Sequence, residues 1–192
     1  MAANDIEVEI KLPLDAERFA AVKARLDQIA RLVKNTHETD EYFTPAHRYF
    51  LQSPFPFEWL RVRKAGNISI LNYKHYYPEN ALKRTHCDEF EVEIAQPDKL
   101  QKIFSALNFQ SLVTVKKDRL VYQLNDEFEI ALDTVNELGS FIEIEALKDF
   151  GGIGVTREKL IAFAQNLGVD VSKLDNRGYP YLLMEKKGLL KK

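Results

Sequence analysis

This chain of 192 residues has a single cysteine, Cys87, a single tryptophan and two methionines. One cysteine excludes an intrachain disulfide and the cysteine-rich zinc clusters. A surplus of one charge sign is also missing: 27 Lys and Arg stand against 29 Asp and Glu, a formal net charge of -2. Net charge therefore gives no pull toward nucleic acid or an anionic membrane, and any anion site must be local, built from chosen arginines and lysines. No apolar run is long enough to span a bilayer. The opening Met1-Ala2-Ala3-Asn4-Asp5 lacks the basic and apolar regions of a signal peptide, so the cytoplasm is the expected compartment. His37, His47, His75 and His86 do not show zinc-ligand spacing. Low-complexity segments and obvious linkers are absent. What is there is 45% hydrophobic and 29% charged, which suits one globular domain over residues 1–192.

Strand signals dominate. Period-two alternation recurs at 6–12, 39–44, 57–64, 68–74, 88–94, 112–122, 127–133 and 140–147. Three helical patterns interrupt it. After Asp15 as N-cap, Phe19, Val22, Leu26, Ile29 and Val33 form one apolar stripe. After Pro97, Leu100, Ile103, Phe104 and Leu107 form a second. After Thr156, Leu160, Phe163, Ala164 and Leu167 form a third, with Gly168 as its stop. A short last helix or strand is expected near Tyr179 to Met184. Gly151-Gly152-Ile153-Gly154 lacks the spacing and the lysine of a phosphate loop and reads as a flexible connection. Glu7-Val8-Glu9-Ile10-Lys11 and Glu91-Val92-Glu93-Ile94 each precede a helix, a rough two-fold layout.

The strands carry the chemistry, because alternate side chains share a face. Glu7, Glu9 and Lys11 share one; so do Arg61 and Arg63, Asn72 and Lys74, Glu89, Glu91 and Glu93, Lys117 and Arg119, and Glu143 and Glu145. Asp133 ends another strand beside Leu132. For any single strand, an antiparallel sheet with one wet face explains this. Two features count against it for the set. Signs segregate by strand, where ordinary surfaces intersperse them. Three amphipathic helices also need apolar sheet faces. If helices cover the aliphatic outside of a closed barrel, the charged faces line its inside, where charges need partners. Arginine forks and lysines suit phosphates, and carboxylates at alternate positions suit Mg2+ or Mn2+ shared with those phosphates.

These residues resemble the CYTH superfamily, that of class IV adenylyl cyclases and thiamine triphosphatases, whose fold is called the triphosphate tunnel. The resemblance begins with Glu-x-Glu-x-Lys (Glu7, Glu9, Lys11). It runs in order through His37-Glu38-Thr39-Asp40-Glu41-Tyr42-Phe43, Leu60-Arg61-Val62-Arg63, Leu71-Asn72-Tyr73-Lys74, Glu91-Val92-Glu93 and Val115-Lys116-Lys117-Asp118-Arg119. Leu132-Asp133 and Leu138-Gly139-Ser140-Phe141-Ile142-Glu143-Ile144-Glu145 complete it. The chain departs after Lys74, where many cyclase-like relatives have a Lys-Gly-Pro turn and this one has His75-Tyr76-Tyr77-Pro78. Arg177-Gly178-Tyr179-Pro180-Tyr181-Leu182-Leu183 resembles the Ser-Tyr-x-x-Leu-Leu ending of the cyclase-like branch, with Gly for Ser.

The resemblance implies an α+β fold: a closed eight-stranded antiparallel β-barrel, the tunnel, with flanking helices. By similarity, Lys11, Arg61, Arg63, Lys74, Lys117 and Arg119 bind the triphosphate, with Lys11, Arg63 and Lys117 closest to the chemistry. Glu7, Glu9, Asp133, Glu143 and Glu145 hold Mg2+ or Mn2+, and Glu91 and Glu93 are further members. Asp40 is expected to orient a basic residue rather than to bind metal. The partner is a triphosphate-bearing small molecule: ATP, thiamine triphosphate or inorganic triphosphate. Neither nucleic acid nor membrane is expected; a homodimer is possible. Two reactions fit, cyclisation of ATP to cyclic AMP with loss of pyrophosphate, which the pattern places slightly ahead, and hydrolysis of a triphosphate. A module that binds triphosphate or polyphosphate without turnover is the third reading.

Overall fold

Asp15 turns the chain from strand to helix. Its backbone is extended and its carboxylate accepts the Arg18 N–H at 2.8 Å, which satisfies one of the donors a helix start leaves open. The structure, a computed structural model, describes residues 6–175 and 177–190. Their strands are β1 (Ile6–Glu7), β2 (Glu9–Leu14), β3 (Arg31–Pro45), β4 (Glu58–Ala65), β5 (Ile68–Tyr77), β6 (His86–Glu93), β7 (Phe109–Leu124), β8 (Phe128–Val135) and β9 (Gly139–Ala146). The α-helices are α1 (Ala16–Ile29), α2 (Pro97–Ala106), α3 (Ile153–Asn166) and α4 (Tyr179–Lys186). The sheet order is β1-β6-β5-β4-β3-β7-β8-β9-β2, so its first and last members are pieces of one stretch separated by Val8. The expected fold class is the one found: α+β, an antiparallel β-barrel sheet with flanking helices. Nine strands replace the expected eight because the interruption at Val8 divides the first.

The chain divides into two compact units. One, the α1/α3 unit, holds residues 7–37 and 117–175; the other, the α2/α4 unit, holds residues 38–116, Ile6 and the described residues from 177. In the α1/α3 unit, Ile10, Leu12, Ile130, Leu132, Ile142 and Ile144 share the apolar sheet face, and Val22 and Leu26 of α1 with Leu160 and Ala164 of α3 pack onto it. Fully burying each of the larger aliphatic side chains is worth about 1.5–3 kcal/mol. In the α2/α4 unit, Phe43, Val62 and Phe104 form a core cluster, with Leu60, Leu71, Leu100 and Phe109 against them. Phe104 meets Phe43 edge-on at 5.1 Å and stacks on Phe109 at 4.7 Å. Helices α1, α2 and α3 thus lie on aliphatic faces, and the charged faces are the opposite ones.

Three expectations need correction. The first stripe does not reach Val33: α1 ends at Ile29, and Val33 lies exposed in β3. The second stripe is only half used, since Ile103 and Leu107 are exposed while Phe104 is buried. The glycine run is not a flexible connection. The Asp149 carboxylate accepts the N–H groups of Gly151 (3.0 Å) and Gly152 (2.6 Å) and the Thr156 hydroxyl (3.2 Å), and α3 starts at Ile153. Gly152 caps that helix at φ +94°, a conformation open to glycine. The last segment is a helix, and Gly168 ends α3 region at φ +73° as expected. No helix among the described residues is long and apolar enough to cross a membrane.

Candidate active site

Strand register decides which charges meet. In the α2/α4 unit, Asp40 lies opposite Arg63, Tyr42 opposite Arg61, Arg61 opposite Asn72, Asn72 opposite Glu91, and Lys74 opposite Glu89. The acid and base rows that the sequence segregates by strand therefore become neighbours across the ladders. Arg63 donates to both Asp40 oxygens, Nε to Oδ1 at 2.8 Å and Nη2 to Oδ2 at 2.9 Å. This is the fork-on-carboxylate geometry that fixes a guanidinium plane. Glu38 Oε2 lies 3.1 Å from the same Nε. Arg61 reaches Asp40 and the Tyr42 hydroxyl at 3.4 Å each, and Glu89 at 3.9 Å. Burial works against the Arg61 charge, but Asp40, Tyr42 and Glu89 outweigh it, and its pKa lies well above the ordinary value. Lys74 Nζ is 3.3 Å from Glu89, and Asn72 donates to Glu91 at 2.9 Å. Asp40 thus orients a basic residue, as its place in the pattern implies.

The α1/α3 unit carries a second cluster. Lys11 lies opposite Glu143, Arg119 opposite Asp133, and Glu145 between Glu9 and Glu129. Arg119 Nε donates to Asp133 Oδ1 at 2.7 Å, and its Nη2 donates to Asp133 and Glu143. Lys117 Nζ stands 3.7 Å from Asp133. Lys117 is 1% exposed and Asp133 0%, so neither belongs to a solvated face. Burial pushes the Lys11 ammonium below its ordinary pKa, and the charges of Glu143, Glu9, Asp175 and Asp133 partly restore it. Glu7 is buried too, but it lies before the break at Val8, in β1, whereas Glu9 and Lys11 lie in β2. Glu93 is exposed and pairs with Ile70.

Reading single strands misses three members. Glu38 is fully buried two residues before Asp40; Glu129 lies on the Asp133 face of β8; Asp175 is bonded by its backbone N–H to the Lys11 carbonyl at 3.0 Å. Period-two counting back from Asp40 and Asp133 finds the first two. Nothing local marks Asp175.

Glu9, Glu145 and Glu129 form a row of like charges directly opposite one another on three neighbouring strands. Such pairing is unfavourable unless a cation compensates it. The donor set is all oxygen, which suits Mg2+ or Mn2+. Their side chains do not converge: among the described residues no group of three His, Cys, Asp or Glu is arranged to hold a metal ion. The register fits a divalent ion, while closing on it requires these side chains to rotate.

A CYTH domain matches residues 5–179, and the chain belongs to that family. It is 27% identical over 176 residues to a Methanocaldococcus jannaschii protein named "Putative adenylate cyclase", with 91% of this chain and 96% of that one covered. Among solved structures, a Pyrococcus horikoshii protein is 33% identical, with a TM-score of 0.78 over 94% of this chain and 99% of that one. A Hippeastrum "putative adenylyl cyclase", described as having a dominant triphosphatase activity, shares the fold at 20% identity and a TM-score of 0.63, with 97% of each chain covered.

Proposed function

We propose that this chain is a divalent-metal-dependent enzyme acting on a triphosphate, and that its reaction is the conversion of ATP to cyclic AMP and pyrophosphate. The observation that carries the reading is that carboxylate-anchored guanidiniums stand on the charged face of each unit, with an all-oxygen acidic row on that face of the α1/α3 unit. Arg63 is 8% exposed and held by both oxygens of Asp40, a device that presents a rigid cation and makes little sense for a wet surface. Support for cyclisation over hydrolysis comes from the name of the M. jannaschii relative, which matches along 91% of the chain.

In this reading Arg61, Arg63 and Lys74 of one cluster, and Lys11, Lys117 and Arg119 of the other, bind phosphate oxygens. Their carboxylate partners hold them in place before substrate arrives, so little reorganisation is left for the reaction itself. Glu9, Glu145 and Glu129 would hold the divalent ion, with Glu7, Glu143 and Asp133 as further ligands. When bound, that ion neutralises phosphate charge and lowers the cost of generating the nucleophile. Cyclisation needs the ribose 3'-hydroxyl to attack the α-phosphorus while pyrophosphate leaves. Hydrolysis needs water at the terminal phosphorus. No covalent protein intermediate is required by either.

The second reading, a triphosphatase, is favoured by the activity described for the Hippeastrum structure of the same fold. Product analysis by phosphorus NMR and chromatography separates them. ATP, thiamine triphosphate and inorganic triphosphate are offered singly with Mg2+ and then Mn2+. Cyclic AMP with pyrophosphate supports the proposal. Orthophosphate together with the matching diphosphate (ADP, thiamine diphosphate or pyrophosphate), and no cyclic AMP, replaces it with hydrolysis. Metal-dependent binding without turnover leaves a sensor.

A further inference from the structure

The aliphatic face of the α2/α4 unit is covered at one end and bare at the other. Strand register lays two rows across it: Phe43, Leu60, Tyr73 and Phe90 in one, Val62, Leu71 and Val92 in the next. Phe43 and Val62 are buried with Phe104 of α2. Phe90 and Val92, at the β6 end of the same rows, are each more than half exposed. The Tyr73 and Phe90 rings lie parallel, with centroids 6.3 Å apart, so the bare end has a defined surface. Helix α4 lies elsewhere: its cap, Gly178, sits beside the indole of Trp59, which shares the charged face with Arg61 and Arg63.

The half-used stripe of α2 supplies a matching ridge. Gln101 donates to Glu41 of β3 at 3.2 Å, which fixes the flank of the helix that faces β3. Ile103 lies about 160° round the helix from Gln101, on the flank toward β5 and β6. Leu107, the C-cap, follows one turn later. Both are more than half exposed. Phe90, Val92, Ile103 and Leu107 together expose on the order of 400 Å² of apolar surface, as much as the largest patch on a typical monomer. One side of a standard interface buries about 800 Å², rather more than half of it apolar. The patch thus supplies most of the apolar share of one such side.

We propose that this face is the interface of a two-fold homodimer, in which Ile103 and Leu107 of one copy lie on the partner's Phe90 and the partner's Val92. Ridge and bare sheet stand on the same chain, so one two-fold rotation covers both on both copies. The α1/α3 unit covers its own aliphatic face with two helices, where this unit has one. The α2 helix of the second copy takes the second place. Charge favours the same pairing. Lys99 is exposed one turn before Ile103, and Asp88 precedes Phe90 by two residues on the same face of β6. The ridge therefore has a basic end and the bare sheet an acidic one, which steers one copy onto the other.

Sedimentation velocity on the full chain tests this. Interfaces of standard size reach micromolar affinity or better, so a dimer is expected at about 10 µM chain. Phe90→Lys on the sheet and Ile103→Lys on the helix should each weaken self-association at least ten-fold, with the circular dichroism spectrum kept. Leu107→Lys, outside the regular turns of α2, repeats the test where a helix-interior change disturbs the fold. Monomeric wild type at that concentration overturns the proposal and leaves the patch to a different partner. A dimer that withstands Phe90→Lys, Ile103→Lys and Leu107→Lys overturns it too, because its interface then lies on another face.

Discussion

Asp40 and Asp133 do at the residue scale what no single charge can: each fixes a guanidinium plane from below, on Arg63 and on Arg119. Removing one partner of such a buried pair strands the other. Asp40→Ala should therefore cost about 3–5 kcal/mol in urea unfolding. Adding Arg63→Met to Asp40→Ala should return part of that loss, and a double variant no more stable than the single one would show that the pair is not coupled. The cations themselves are tested by turnover. Arg63→Ala and Lys117→Ala should each lower kcat about a hundred-fold, near 3 kcal/mol of transition-state stabilisation, with the circular dichroism spectrum kept. Near-normal turnover in both would sink the assignment of these clusters to triphosphate chemistry.

Among the elements, α3 shows how a local rule is overridden. Its glycine-rich lead-in looks slack as sequence, yet Asp149 gathers the Gly151 and Gly152 N–H groups and the Thr156 hydroxyl. The backbone N–H of Gly152, then that of Gly151, hold the Asp149 pKa below its ordinary 3.8. A carboxyl depressed in the folded state stabilises it above the unfolded pKa, and that contribution fades as pH falls through the lower, folded value. Asp149→Ala should thus unfold at a lower temperature than wild type at neutral pH, with the gap narrowing in acid below 3.8. A gap that stays constant with pH would assign the loss to something other than the carboxylate charge. The end of α1 teaches the complementary lesson. Val33 continues the helical apolar spacing but is claimed by β3, a strand of 15 residues whose pairing outweighs the helical preference of its first turn.

For the whole molecule, each unit repeats one plan: antiparallel strands, an aliphatic face covered by helix (α1 and α3 in one unit, α2 in the other) and paired charges on the opposite face. In the α1/α3 unit, Glu9, Glu145 and Glu129 stand opposite one another, so that acid faces acid across three neighbouring strands. Relieving one member should reveal the repulsion. Metal-free Glu145→Gln should be more stable than wild type by about 0.2–1 kcal/mol, while losing most of the thermal stabilisation that Mg2+ or Mn2+ gives the native chain. Equal responses of both proteins to the ions would remove this row from the metal site. Inorganic triphosphate with metal should raise the melting temperature further, since a ligand at a hundred times its Kd adds about 2.7 kcal/mol.

Much of this was legible in the linear chain. Alternation marked the charged strands, Asp15 and Gly168 marked helix ends, and the ordered pieces from Glu7 to Glu145 marked the family, because these signals depend on spacings of a few residues along one element. Partnership was not legible. That Asp40 meets Arg63, that Glu9, Glu145 and Glu129 align and that Asp175 reaches Lys11 all depend on register and loop path between segments far apart in sequence. A shift of one residue in register would turn every charged side chain to the helix-covered face. Which residues carry charge, and with what period, follows from the order of amino acids alone. Which charges neutralise one another follows from folding, because burial and counter-charge are properties of the packed sheet and not of any one strand.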